Sequence, residues 1–156
     1  MRKLILAALL LAMAPALAQD SGALAFLQQI YGQYEKTDDG VDIRSAGAAQ
    51  RYFTPAVARL MEADAAEAAR NKQSGRLDFD PFIGGQFWAP TKVTLTVAPG
   101  PKADQATGTA RYIVKGGTRE VVVTLDLVKI PAGWRIADMR WVGEQGTLMN
   151  ILSAKQ

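Results

Sequence analysis

Alternation of apolar and polar positions is clearest in the C-terminal third of the chain. Residues 119–130 are dense in β-branched side chains, with Val121, Val123, Leu125 and Leu127 on one face. Val122, Thr124, Asp126, Val128 and Ile130 fall on the other. Pro131, Ala132 and Gly133 supply turn chemistry. Residues 134–142 then alternate again, setting Trp134, Ile136, Asp138 and Arg140 against Arg135, Ala137, Met139 and Trp141. Apolar side chains on both faces of two adjacent strands predict a sheet covered on both sides, or one rolled around a cavity. Upstream, Val93, Leu95 and Val97 define a strand over 92–97, and residues 107–115 a second. Gly116 and Gly117 turn that second strand into the third. The expected sheet is a four-stranded antiparallel meander.

Ahead of the sheet the apolar period lengthens to three and four. Leu24, Leu27, Ile30, Tyr31 and Tyr34 make a stripe over residues 22–36, with Ser21 as the expected cap and Lys36 suited to the last turn. Residues 37–40 end that helix with turn residues, and a short helix is expected over 43–51. Thr54 and Pro55 suit the cap and first turn of a third helix over 55–71. Its expected buried stripe is Val57, Leu60, Met61, Ala65 and Ala68. Arg59, Glu62, Asp64, Glu67 and Arg70 read as its wet face, with Glu67 and Arg70 spaced to pair. Residues 76–90 fit neither period. Leu77, Phe79, Phe82, Ile83, Phe87 and Trp88 must lie against the body, while prolines and glycines forbid a regular helix or an interior strand. Gly84 and Gly85 permit a close backbone approach, to the sheet or to a ligand. A last amphipathic turn covers 148–152. Helices first and a meander after define an α+β plan, N-terminal helices packed on a curved antiparallel four-stranded sheet.

The first 18 residues stand outside that plan. A basic start at Arg2 and Lys3, an apolar run over 4–13 and the small residues Ala16 and Ala18 form the three-part pattern of a secretory signal peptide cleaved after Ala18. The run is too short to span a bilayer, which takes about 20 apolar residues. No cysteine follows it, so lipoprotein-type lipid attachment is excluded. The expected product is residues 19–156 as one domain, exported to a periplasm or secreted, with no membrane association after cleavage. The formal charge of +3 falls to +1 once Arg2 and Lys3 leave, so no nucleic-acid partner is expected. Without cysteine there is no disulfide framework. Without histidine, imidazole bases, Ser-His-Asp catalysis and most zinc or copper sites are excluded. Neither metal nor cofactor is expected, and no catalytic residue is assigned.

The remaining candidate chemistry lies in carboxylates, tyrosines and amides. Asp126, Asp138 and Arg140 are polar positions in otherwise apolar strands; on a concave face they would form a charged spot in an apolar cup, and elsewhere an ion pair at the sheet's edge. Asp78 and Asp80 are placed to accept backbone N–H bonds in the irregular segment. Gln86 and Trp88 offer hydrogen-bonding and stacking groups for a pocket, and Tyr31, Tyr34 and Tyr112 either point into one or complete the core. Asp38, Asp39 and Asp42 read as a solvated loop rather than a calcium site.

The run Gly-Trp-Arg-Ile-Ala-Asp-Met-Arg-Trp over 133–141 resembles the last strand of nuclear-transport-factor-2-like domains, the cystatin-like α+β cone. More narrowly, residues 23–34, Tyr52-Phe53-Thr54-Pro55, Asp80-Pro81-Phe82 with Gly85-Gln86, and Val123-Thr124-Leu125-Asp126-Leu127 followed by Gly133-Trp134 resemble the exported bacterial domain-of-unknown-function family numbered 3828. Phe87 stands where that family's pattern commonly places an acidic residue. The resemblance implies an exported life and a sheet curled around a pocket; it implies no activity. Three function classes follow. One is a non-catalytic binding domain for a small apolar ligand. The second is a protein-binding factor of the periplasmic inhibitor or immunity kind, or a domain that pairs with its own copy. The third is an isomerase or hydrolase using an Asp–Tyr or Asp–Arg site.

Overall fold

A computed structural model gives the fold of residues 14–37, 40–86, 89–143 and 146–154, with side chains from Ser21 onward. The apolar run over 4–13 read as part of a signal peptide, Asp38, Asp39, Phe87 and Trp88 lie outside the described residues. The elements are α1 (Ala14–Tyr31), α2 (Pro55–Asn71), β1 (Pro90–Pro99), β2 (Gln105–Val114), β3 (Glu120–Ile130), β4 (Gly133–Trp141) and α3 (Leu148–Ser153). The strands form one curved antiparallel sheet in the order β1-β2-β3-β4, the expected α+β plan.

The helices differ from expectation in instructive ways. Ser21 does not start α1, which already runs from Ala14 and gives way after Tyr31 to a chain of turns that carries Tyr34 inward. Its buried stripe is Ala23, Leu27, Ile30 and Tyr31, with Leu24 only half-buried. The helix expected over 43–51 is reduced to a 3-10 turn at Ala49–Arg51. There Asp42 Oδ1 accepts the N–H groups of Arg44 and Ser45, each at 3.0 Å, and Gly47 sits at φ 72°, so local side-chain bonds and a left-handed residue displace the helix. Thr54 caps α2 as expected, accepting from Val57 N–H, with Pro55 in the first turn.

The buried face of α2 comprises Val57, Ala58, Met61 and Asp64, while Ala65 is exposed. Asp64 therefore leaves the wet face. It accepts the N–H groups of Arg76 (2.9 Å) and Leu77 (3.1 Å) and the Arg76 guanidinium (3.0 Å), tying the 74–77 turn to the helix. Glu67 pairs with Arg76 at 2.8 Å rather than with Arg70. The N–H groups of an irregular turn have no ladder to enter, and a buried carboxylate satisfies them.

Small residues on β2 seat α1. Ala106, Gly108, Ala110 and Tyr112 face inward, and a Cβ on Gly108 would lie 2.7 Å from Leu27 Cδ1. On β3 the inward set is Val123, Leu125 and Leu127, as the alternation predicts. On β4 the strict alternation fails. Asp126 pairs with Asp138 but Leu127 with Ile136, so Ala137 bulges, and the buried set changes from Trp134 and Ile136 to Met139 and Trp141. One extra residue shifts every later side chain to the other face.

The edge of β4 is partly covered. Phe53 bridges Ile136 in parallel, with Thr54 N–H to Ile136 O at 2.9 Å and Ile136 N–H to Tyr52 O at 2.8 Å. The edge of β1 is bounded by Pro90 and Pro99 and broken by a bulge in which Lys92 takes φ 54°, features that discourage pairing with another strand. Among the described residues no helix is long and apolar enough to cross a membrane.

Candidate functional site

The irregular segment becomes a closed loop over 80–85. Asp80 N–H donates to Gly85 O at 2.9 Å, and Gly84 takes φ 54° with its Cα against the Trp141 ring, where a Cβ would lie 2.8 Å from Cδ1. The close approach that these glycines permit is thus to the sheet. Phe82 is wholly buried at the centre of an aromatic cluster, stacked on Phe53 at 5.7 Å and meeting Tyr31 and Tyr52 edge-on. Three consecutive carbonyls of this loop each accept one buried donor. Trp141 Nε1 reaches Pro81 O at 2.8 Å, Tyr31 Oη reaches Phe82 O at 3.0 Å, and Tyr112 Oη reaches Ile83 O at 2.5 Å. The donors come from β4, α1 and β2, so the loop is pinned simultaneously by three elements.

Asp80 stands where this pinned loop meets solvent. Its Oδ1 accepts Phe82 N–H at 2.9 Å, and its Oδ2 accepts the Tyr34 hydroxyl at 2.5 Å. Burial raises the Asp80 pKa above the usual carboxylate range, against the stabilising bonds from Tyr34 and Phe82 N–H and the charge of Arg44. Burial likewise raises the Tyr34 hydroxyl, reinforced by the neighbouring Asp80 charge and hydrogen bond, so the phenol is a neutral donor. Tyr31 and Tyr112 are also raised, first by burial and then by neighbouring charges that include Asp80.

The pair opens into a pocket of about 890 Å³. Its walls come from the 40–44 loop, residues 78–86, and the β2 end at Val114 and Lys115. Val41, Ile43, Phe79, Ile83 and Val114 make it apolar on several sides, while Asp42, Arg44, Asp78 and Lys115 give it a charged rim. Gly40 makes close walls possible: at φ 71°, a Cβ there would lie 2.9 Å from Asp80 Oδ2. A second groove of about 740 Å³ between α2 and residues 43–49 and 74–79 shares Ile43, Arg44, Asp78 and Phe79 with the first.

The candidates divide into two separated groups. Tyr34, Asp80 and Gln86 line the pocket, although the Gln86 amide also donates to Asp78 O at 3.0 Å. Tyr31 is buried behind them as a pin. Trp88 lies outside the described residues. Asp126, Asp138 and Arg140 sit on the sheet face opposite Leu125, Leu127 and Met139, so they form no charged spot in a cup. Arg140 clasps Asp126 at 2.7 and 2.8 Å on a half-exposed surface, which raises the guanidinium pKa. Asp138 Oδ1 accepts Met139 and Met149 N–H at 2.8 and 3.0 Å, docking the first turn of α3. Sequence reasoning did not single out Arg44, Lys115 or Val41, because loop residues brought together by the fold share no period. Among the described residues no three carboxylates gather into a metal-binding group.

No protein-family model, curated protein or solved structure matches this chain. Its reading therefore stands on the residues and their geometry.

Proposed function

We propose that this protein is an exported, non-catalytic binding domain with a nuclear-transport-factor-2-like cone, released by signal cleavage after Ala18. The pocket beside Tyr34 and Asp80 is its ligand site. The observation that carries this reading is the Tyr34–Asp80 pair, held at 2.5 Å and half-buried in the wall of a pocket whose volume suits a small molecule. A small ligand with an apolar body fits these walls; polar groups fix its orientation. Native mass spectrometry of protein purified from an exporting host tests the reading, with a bound small molecule expected. Its loss from a Val41→Trp variant that fills the pocket is the second expectation. A ligand-free mass, together with no ligand recovered on extraction, would refute it.

The same pair supports a second reading, an isomerase or hydrolase in which Asp80 moves a proton and Tyr34 donates a hydrogen bond. A raised carboxyl pKa in a pocket suits base work. Both Asp80 oxygens already accept bonds from the chain itself, which favours the binding reading over this one.

A further inference from the structure

We infer that the pocket selects a small organic cation, an ammonium head on a short apolar body; this rests on the binding reading of the same pocket. Tyr34 has one hydroxyl proton, and it goes to Asp80 Oδ2. What the pair turns toward the pocket is therefore acceptor capacity. A carboxylate has about four acceptor sites; on Asp80, Phe82 N–H and Tyr34 occupy two and Ile83 N–H acts more weakly on the same group, so capacity remains.

Among the described residues, the buried carboxylate of Asp64 has a counter-charge that Asp80 lacks. Asp64 is paired with Arg76 at 3.0 Å, and even the half-exposed Asp126 has Arg140. No ion pair among the described residues reaches Asp80, and Arg44 acts on it only through its field. A desolvated carboxylate without a cation is costly, and a bound ammonium relieves that cost while placing N–H donors on the free acceptor sites. Tyr34 and Phe79 line the same space, and an aromatic ring attracts a cation wherever its face is open to it. An anionic head would face Asp80 at the wall and Asp78 beside it. Arg44 and Lys115 are exposed, so salt screens whatever they offer to an anion.

The test titrates the full-length exported protein with hexylammonium and, separately, with hexanoate, reading amide chemical shifts of residues 40–44 and 78–86. Hexylammonium is expected to bind, hexanoate not. Asp80→Asn, which keeps the shape and removes the charge, is expected to weaken hexylammonium by about tenfold or more. Arg44→Gln, which removes the opposing positive field, is expected to bind it more tightly. Arg44→Gln keeps the test decisive should Asp80→Asn fail to fold, since unchanged or weaker hexylammonium binding by it overturns the cation assignment. Hexanoate binding, lost on Arg44→Gln, overturns the cation assignment and leaves the binding reading standing. Failure of both probes to move any pocket resonance overturns the assignment and counts against the binding reading as well.

Discussion

Tyr112→Phe isolates the contribution of one buried hydrogen bond to the loop that carries Asp80. Tyr112 is 1 % exposed, and its hydroxyl donates to Ile83 O at 2.5 Å. The substitution keeps the ring and hence nearly all of the packing. What changes is that a carbonyl in a buried loop loses its donor, at a cost of about 1–3 kcal/mol for an unsatisfied buried group. The gap left by one oxygen adds little beside this. The expected loss is about 2 kcal/mol, a large share of the roughly 5–15 kcal/mol that stabilises a domain. Urea unfolding followed by tryptophan fluorescence measures it as a lower midpoint with an unchanged slope. Tyr52→Phe is the matched control. Its hydroxyl accepts from Gln33 in a part-exposed bond at 3.3 Å, and its removal is expected to cost no more than about 0.5 kcal/mol. If Tyr112→Phe lies within about 0.5 kcal/mol of the parent, the three-point pinning of residues 81–83 is refuted. Tyr31→Phe acts on the adjacent carbonyl, so the double variant should depart from additivity, as neighbours in one network do.

Gly84→Ala combines a left-handed backbone with a Cβ driven to 2.8 Å from the Trp141 ring, and should cost about 2 kcal/mol or more by the same denaturation assay; a neutral result would mean that the loop does not lie against β4. Asp64→Ala leaves two backbone N–H groups and Arg76 Nη1 without their acceptor, an expected loss of about 3 kcal/mol, and a loss no greater than that of Glu67→Ala would contradict the assigned role. The pH dependence follows from Asp80, which faces the hydroxyls of Tyr31, Tyr34 and Tyr112 and the charge of Arg44. Its folded pKa lies above the unfolded value, so the folded state holds the proton more tightly. Its contribution to stability is fully present below about pH 4 and is lost as pH rises through the folded value. Subtracting the Asp80→Asn stability profile from that of the parent should show this fall, and a rise over the same window would reverse the assignment.

The sheet was legible in the sequence because its periods are regular. Val123, Leu125 and Leu127 alternate without interruption and face inward as read. Alternation alone could not place Asp138, Met139, Arg140 and Trp141, because the bulge at Ala137 leaves no mark in composition. The helix stripes were legible for the same reason, except where one charged residue turned inward. Asp64 falls at the right spacing for the buried face of α2, but charge assigned it to water; only the unsatisfied N–H groups of a turn twelve residues away explain its burial. The pocket was half-legible. Tyr34 ends an apolar helix stripe and Asp80 precedes a proline in the irregular segment, whereas Arg44 and Lys115 enter through loop geometry. Asp126 and Arg140 stand out as polar positions in apolar strands, and the register places them on the other side of the sheet.

The pinning of residues 81–83 determines what kind of site Asp80 can be. Its backbone is fixed through the Pro81, Phe82 and Ile83 carbonyls to three elements, and its side chain through Phe82 N–H and Tyr34. The carboxyl group therefore cannot move relative to the sheet without breaking buried hydrogen bonds. The opposite walls are different: Asp42 and Arg44 are exposed, and Lys115 begins an exposed turn. A fixed polar group facing a rim open to solvent discriminates strongly among ligand heads and weakly among ligand bodies. A change of charge at the head meets a group that cannot retreat, whereas an added methylene extends toward the solvent-open rim.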